Sequence, residues 1–138
     1  MILDSATVES NFQRFINRVI DNESLFYLSN DEGVANSVSN DDEETTILLF
    51  WSDRAYAHRA KKIFSEEFSE SEMTLFEFLY RWLPGMSGDD VLAGPNWNGN
   101  LVGREIDPFD LRTEIEERMP PELLEEYEIR YRELTEST

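Results

Sequence analysis

The chain has 138 residues, 40% hydrophobic and 12% aromatic, no cysteine, and a formal charge of −18 from 30 acidic against 12 basic side chains. One domain with a self-sufficient core is expected at this length, and the missing cysteine removes disulfides, thiolate metal sites and thiol nucleophiles together. The acid excess repels nucleic acid and anionic lipid and attracts basic proteins within a Debye length, so a basic protein is the expected partner, with no nucleic acid and no membrane.

The opening stretch MILDSATVESNF has no basic segment ahead of a long apolar run, and no segment reaches the roughly 18 apolar residues of a membrane span. A cytoplasmic location is therefore the expectation, and the lack of cysteine fits a reducing compartment. Solubility or adaptation to high salt also accounts for acidity of this kind.

In chain order, Val8 to Ile20 predicts an amphipathic packing helix: Val8, Phe12, Phe15, Ile16, Val19 and Ile20 recur at spacings of three and four. Arg14 and Arg18 fall on its wet side. Ser24 to Ser39 predicts a hairpin, with Leu25–Leu28 as one strand, Asp31-Glu32-Gly33 as the turn and Val34–Val38 as the return. The acidic connector NDDEE (40–44) lacks the regular oxygen spacing of a calcium loop and is expected to be a solvated loop.

Thr45 to Trp51 is a continuous apolar and β-branched run, which predicts a central strand buried on both faces. Ser52 is expected to cap the helix that follows, with Asp53 at the positive end of its dipole. That helix sets Tyr56, Ala60, Ile63 and Phe64 against a basic side of Arg54, His58, Arg59, Lys61 and Lys62. The expected role of this basic side is to neutralise the chain's own acidic loops. Residues 65–72 read as a linker of Ser and Glu. Thr74 to Glu77 has the capping-box form and opens a helix to Leu83, which Pro84-Gly85 is expected to end.

Asn98-Gly99 between apolar runs predicts a second hairpin, with Pro95 on an edge or bulged strand. Asp107-Pro108 then opens a helix with a cap and a first-turn proline. After Pro120-Pro121 a final helix carries the stripe Leu124, Tyr127, Tyr131, Leu134. The predicted order is α-βββ-αα-ββ-αα. This is a single α+β domain over residues 1–119, its largely antiparallel sheet made of a β-meander plus a β-hairpin. The C-terminal helix, residues 120–138, is appended to it and makes either a monomer or a homodimer.

No catalytic constellation emerges. His58 is the only histidine, which excludes a histidine metal site or a paired relay; Ser52 and Ser87 have no evident base. Gly85-Met86-Ser87-Gly88 lacks the lysine of a phosphate loop, and Asp89-Asp90 are expected to cap a short helical turn before Val91. No metal and no cofactor are expected. The tryptophans remain: Trp51, Trp82 and Trp97 each end an element beside polar residues. That pattern suits a ligand groove or partner hot spot, and equally the sealed rim of a small core. The candidate binding residues are Trp51, Asp53, Arg54 and Tyr56 at the exit of the central strand, with Trp82, Asn96 and Trp97.

The segment Leu49-Phe50-Trp51-Ser52-Asp53-Arg54-Ala55-Tyr56-Ala57 resembles the FWSD-x-x-YA segment of a small bacterial family, domain of unknown function family 2750. Three further segments fit in the same order: Phe78 to Gly85 (FLYRWLPG), Val91 to Trp97 (VLAGPNW) and Ile106-Asp107-Pro108. The likeness covers roughly residues 8 to 118. It implies a short, cytosolic, single compact domain and transfers no catalytic residue. The leading expectation is a non-enzymatic, acidic interaction domain of immunity-like or regulatory type. The alternative is a small-molecule-binding or enzymatic domain with its site at the exit of the central strand.

Overall fold

The computed structural model describes residues 5–39, 41–64, 67–98 and 103–136. Helix α1 (Ser5–Asn22) is followed by strands β1 (Ser24–Asn30), β2 (Gly33–Val34), β3 (Asn36–Val38) and β4 (Thr46–Phe50), then helix α2 (Arg54–Phe64) and strand β5 (Ser69–Thr74). One continuous helical stretch comes next, built from α3 (Leu75–Glu77), a π-helical turn (Phe78–Trp82) and α4 (Leu83–Gly88). Strand β6 (Leu92–Pro95), α5 (Pro108–Arg118) and α6 (Pro121–Glu136) complete the chain.

The strands form two three-stranded sheets, β2-β1-β5 and β3-β4-β6. All pairings are antiparallel except β4 with β6, which run parallel from Ile47↔Leu92 to Phe50↔Pro95. Phe26 and Trp51 exchange backbone hydrogen bonds at 2.8 Å in both directions, which fastens the two sheets together at the end of β4. The α+β class and the single domain are as the sequence predicts.

β4 is buried on both faces because successive side chains alternate. Phe50 enters the larger core, with Phe12, Phe15, Ile16 and Val19 of α1 and Phe78, Leu79 and Leu83 of the long helical stretch. Ile47, Leu49 and Trp51 enter a smaller core closed by Ala57 and Ala60 of α2 and by Trp97. Asp107 caps α5 as expected, accepting from the backbone N–H groups of Phe109 and Asp110. Tyr127 of α6 is buried in the larger core, with Leu123 and Leu124 packed against it.

Several elements differ from the sequence expectation. The presumed linker of Ser and Glu contributes β5, which pairs with β1 from Ser24↔Thr74 to Ser29↔Ser69. It is an edge strand with only Met73 buried, so it carries no apolar alternation to read. The return of the first hairpin divides at Ala35: Gly33–Val34 stay with β1, and Asn36–Val38 cross over to β4. β6 finds β4 as its main partner, and the antiparallel contact expected of a hairpin survives as the single bridge Ala93↔Ile106. Pro95 lies at the end of this edge strand, where its missing donor costs nothing. The Asn98-Gly99 turn lies partly outside the described residues. Ile63, expected on the buried side of α2, is exposed.

Pro84-Gly85 does not end its helix. Thr74 caps the start, its hydroxyl accepting from the Glu77 N–H at 3.1 Å, and the helix continues to Gly88. Within the π turn the Leu83 N–H reaches back to the Phe78 carbonyl, five residues away. That wider turn opens the backbone just ahead of the proline ring, where an α-turn would clash. Asp89 and Asp90 close the helix before Val91, whose N–H reaches the Met86 carbonyl at 3.1 Å. No described helix is long and apolar enough to cross a membrane.

Candidate functional site

Beyond β4 the chain passes through Trp51, Ser52 and Asp53 into α2. Ser52 does not cap that helix. The Asp53 carbonyl accepts from the N–H groups of Tyr56 and Ala57, so Asp53 holds the capping position. Ser52 is instead buried within a polar knot. Its N–H donates to Asn96 Oδ1 at 2.8 Å, its hydroxyl accepts from Asn96 Nδ2 at 3.0 Å, and that hydroxyl donates to Asp53 Oδ1 at 2.7 Å. Asn96 also donates from Nδ2 to the Asn11 carbonyl at 3.3 Å and from its own N–H to the Phe50 carbonyl at 2.8 Å. One amide thereby ties β4, the turn after β6 and α1 into a single corner. Asn96 takes a positive φ of 50° to do this, a conformation that asparagine tolerates better than most residues.

A cleft of about 290 Å³ opens against this corner. Its walls are Asn11 and Arg14 of α1, Trp51 at the end of β4, Tyr56 and Arg59 of α2, and Asn96, Trp97 and Asn98 after β6. The indoles set its depth. Trp51 Nε1 donates to the Trp97 carbonyl at 2.9 Å, and Trp97 Nε1 donates to the Arg104 carbonyl at 2.8 Å. With both donors engaged internally, the tryptophans serve as a sealed, rigid wall.

The charge of the cleft is opposite to that of the chain. Arg14 Nη1 donates to the Tyr56 hydroxyl at 2.9 Å, and the Arg59 guanidinium lies over the Tyr56 ring, 5.3 Å from its centre. Neither arginine forms an ion pair among the described residues, and no Asp or Glu lines the cleft. The charges on adjoining residues are paired: Arg18 with Asp53 at 2.7 Å, and Arg104 with Glu9 at 3.6 Å. On the β5 side of α2, His58 and Lys61 meet Glu70 at 2.6 and 3.8 Å. The His58 hydrogen bond, then Glu70's own backbone, hold that carboxyl below its ordinary pKa. The basic side of α2 thus divides: part neutralises an acidic strand, as expected, and Arg59 faces the cleft.

Of the seven candidates, the structure brings Trp51, Tyr56, Asn96 and Trp97 together here. Asp53 stands one step behind, engaged by Arg18 and Ser52. Arg54 turns away onto the Phe26 ring, 4.9 Å from its centre. Trp82 packs on Tyr27 and Phe50, at centroid distances of 5.3 and 6.1 Å, and borders a separate open groove with Leu48 and Met86. Sequence reasoning missed Asn11, Arg14, Arg59 and Asn98 as neighbours of one another. The available signal was weak: two arginines on wet helix faces, one of them 42 residues from the tyrosine it bonds.

A family model described as "Protein of unknown function (DUF2750)" matches residues 12–115. The chain belongs to this family. No curated protein and no solved structure matches it. In this DUF2750 chain every wall of the cleft except Asn11 comes from the matched residues, which end within α5 and leave α6 outside. Two of the segments that carried the sequence resemblance meet here, one supplying Trp51 and Tyr56 and the other Asn96 and Trp97.

Proposed function

We infer that this chain is a non-enzymatic, cytoplasmic binding domain whose cleft at the exit of β4 captures an anionic group, a carboxylate or a phosphate, on its ligand. One observation carries the reading: in a chain of −18, two arginines that form no ion pair among the described residues line a cleft with no described Asp or Glu in its walls. Guanidinium groups in that position present charge-assisted donors to an anion. A binding role is favoured over catalysis because Ser52 is buried and fully bonded, and His58 is engaged by Glu70 away from the cleft. Titration of isotope-labelled protein with acetate and with inorganic phosphate tests it. The Trp51 and Trp97 indole resonances should shift with added anion and remain still with glycerol. Indole signals unmoved by every anion would sink the reading.

A second reading, an interaction surface for a basic protein or a second copy of the chain, has its own observation. The far half of α6 exposes Ile129, Tyr131 and Leu134 by 42, 40 and 54%, among exposed Glu125, Glu128, Glu133 and Glu136. Sedimentation of the full chain and of a form ending at Met119 tests the homodimer. A dimer that becomes a stable monomer on truncation supports it. A monomer in both cases, less stable when cut, leaves α6 as a helix docked on its own domain.

A further inference from the structure

We propose that the group taken by the cleft is a dianion, specifically a phosphate monoester on a small organic body, an inference that rests on the anion-binding reading above. The argument starts from charge. Arg14 and Arg59 bring two positive charges to the cleft, and neither is balanced by a carboxylate among the described residues. The adjoining Arg18–Asp53 and Arg104–Glu9 pairs add no net charge, and His58 and Lys61 face Glu70. A monocarboxylate leaves one guanidinium uncompensated; a phosphate monoester, close to −2 at neutral pH, matches both.

Donor count leads to the same group. Arg14 spends one N–H on the Tyr56 oxygen and keeps the rest of its fork. The Tyr56 hydroxyl, having accepted that bond, retains its own proton to donate. Arg59, over the Tyr56 ring, lines the same cleft, so three side chains bring donors to it. Three terminal phosphate oxygens have acceptor sites for all of them, and a carboxylate has two oxygens. Size leaves room for a small body. A cleft of about 290 Å³ falls just below the roughly 300–1,000 Å³ usual for small-molecule sites. It holds more than a bare phosphate ion.

Calorimetric titration of the full chain at low salt tests this, with acetate, sulfate, inorganic phosphate, glycerol phosphate and phenyl phosphate as probes. Phosphate esters should bind at least about tenfold more tightly than acetate. Their affinity should rise about tenfold from pH 5 to pH 7 as the second proton leaves, near pH 6. Sulfate stays doubly charged throughout, so its affinity should hold steady and separate the ligand's proton from any titration of the protein. Arg14→Gln and Arg59→Gln should each weaken ester binding by about tenfold or more. Arg132→Gln, which removes the same charge from exposed α6, should leave it unchanged.

The failures are distinguishable. Acetate binding as tightly as the esters, or ester binding flat with pH, overturns the dianion and leaves the anion-binding reading standing. Inorganic phosphate binding more tightly than both esters overturns the organic body. Equal losses in Arg14→Gln and Arg132→Gln assign the effect to the general field and overturn the site. No binding by any anion overturns both readings. Both arginines are exposed, so their variants should fold, and a melting curve checks that each has.

Discussion

Asn96 and Ser52 are joined twice, backbone N–H to amide oxygen at 2.8 Å and amide nitrogen to hydroxyl at 3.0 Å, with both residues buried. Removing the two partners should have unequal effects. Asn96→Ala leaves the Ser52 N–H buried without an acceptor and puts alanine at a positive φ, so it should cost about 2–3 kcal/mol in urea denaturation. Ser52→Ala keeps the backbone bond and leaves one Asn96 amide proton without its acceptor, so it should cost less, about 1 kcal/mol. Equal costs would show that this pair of hydrogen bonds is not what holds the corner.

Gly94 and Trp97 make a tighter test of the wall. A Cβ added at Gly94 would sit 2.7 Å from Trp97 Nε1 and 2.8 Å from Leu49 Cδ2. Both neighbours are nearly fully buried, so neither can step aside freely. Gly94→Ala should destabilise by about 1–3 kcal/mol through overpacking. It should also change the near-ultraviolet dichroism of the indoles; a variant with wild-type stability and spectrum would mean that the wall is looser than described.

What the sequence made legible was local. The strand to Trp51, the cap at Asp107 and the Thr74–Glu77 start each follow from residues within one turn or one strand of each other. The cleft was only half legible, because its polar side depends on contacts across the fold. Asn96 reads as a candidate binding residue beside Trp97, and its bonds to Ser52 emerge only when the fold sets the two side by side. Arg14 reads as solvated, and Arg59 as one of a basic side that neutralises acidic loops, until Tyr56 brings them to one cleft. β5 was unreadable for another reason: an edge strand wet on most of its length can be written in Ser and Glu. The Ser52 expectation failed because serine next to a helix start has two possible partners, and here a distant amide outcompetes the first helical turn.

Tyr127 predicts an alkaline weakness. Burial, then its 2.6 Å hydrogen bond to Glu23, hold its hydroxyl well above the ordinary tyrosine pKa. The folded chain therefore holds this proton more firmly than the unfolded chain. Stability from this group is complete below about pH 10 and is lost as the pH rises further. Tyr127→Phe should be about 1 kcal/mol less stable at pH 7 and should lose less stability between about pH 10 and 12. An alkaline limb identical in the variant would contradict the assignment.

Salt separates repulsion from pairing. Thirty acids against twelve bases repel one another at a range that a Debye length of about 8 Å at physiological ionic strength cuts off. The exposed ion pairs contribute little each. Raising sodium chloride from about 10 to 150 mM should therefore raise the melting temperature. A flat or falling response would make pairing the larger effect.

The parallel union of β4 and β6 has a kinetic consequence. Roughly forty residues separate those strands, and closing such a loop costs entropy before the pairing returns anything. The first antiparallel turn, β1 with β2, faces no such delay. The cleft draws on both ends of that crossover and on α1 as well, so it is complete only once contacts far apart in the chain have formed. An anion that bound the cleft would have nothing to hold in a half-folded chain. Occupancy therefore reports completed folding, and a ligand present during refolding should leave the folding rate unchanged while slowing unfolding.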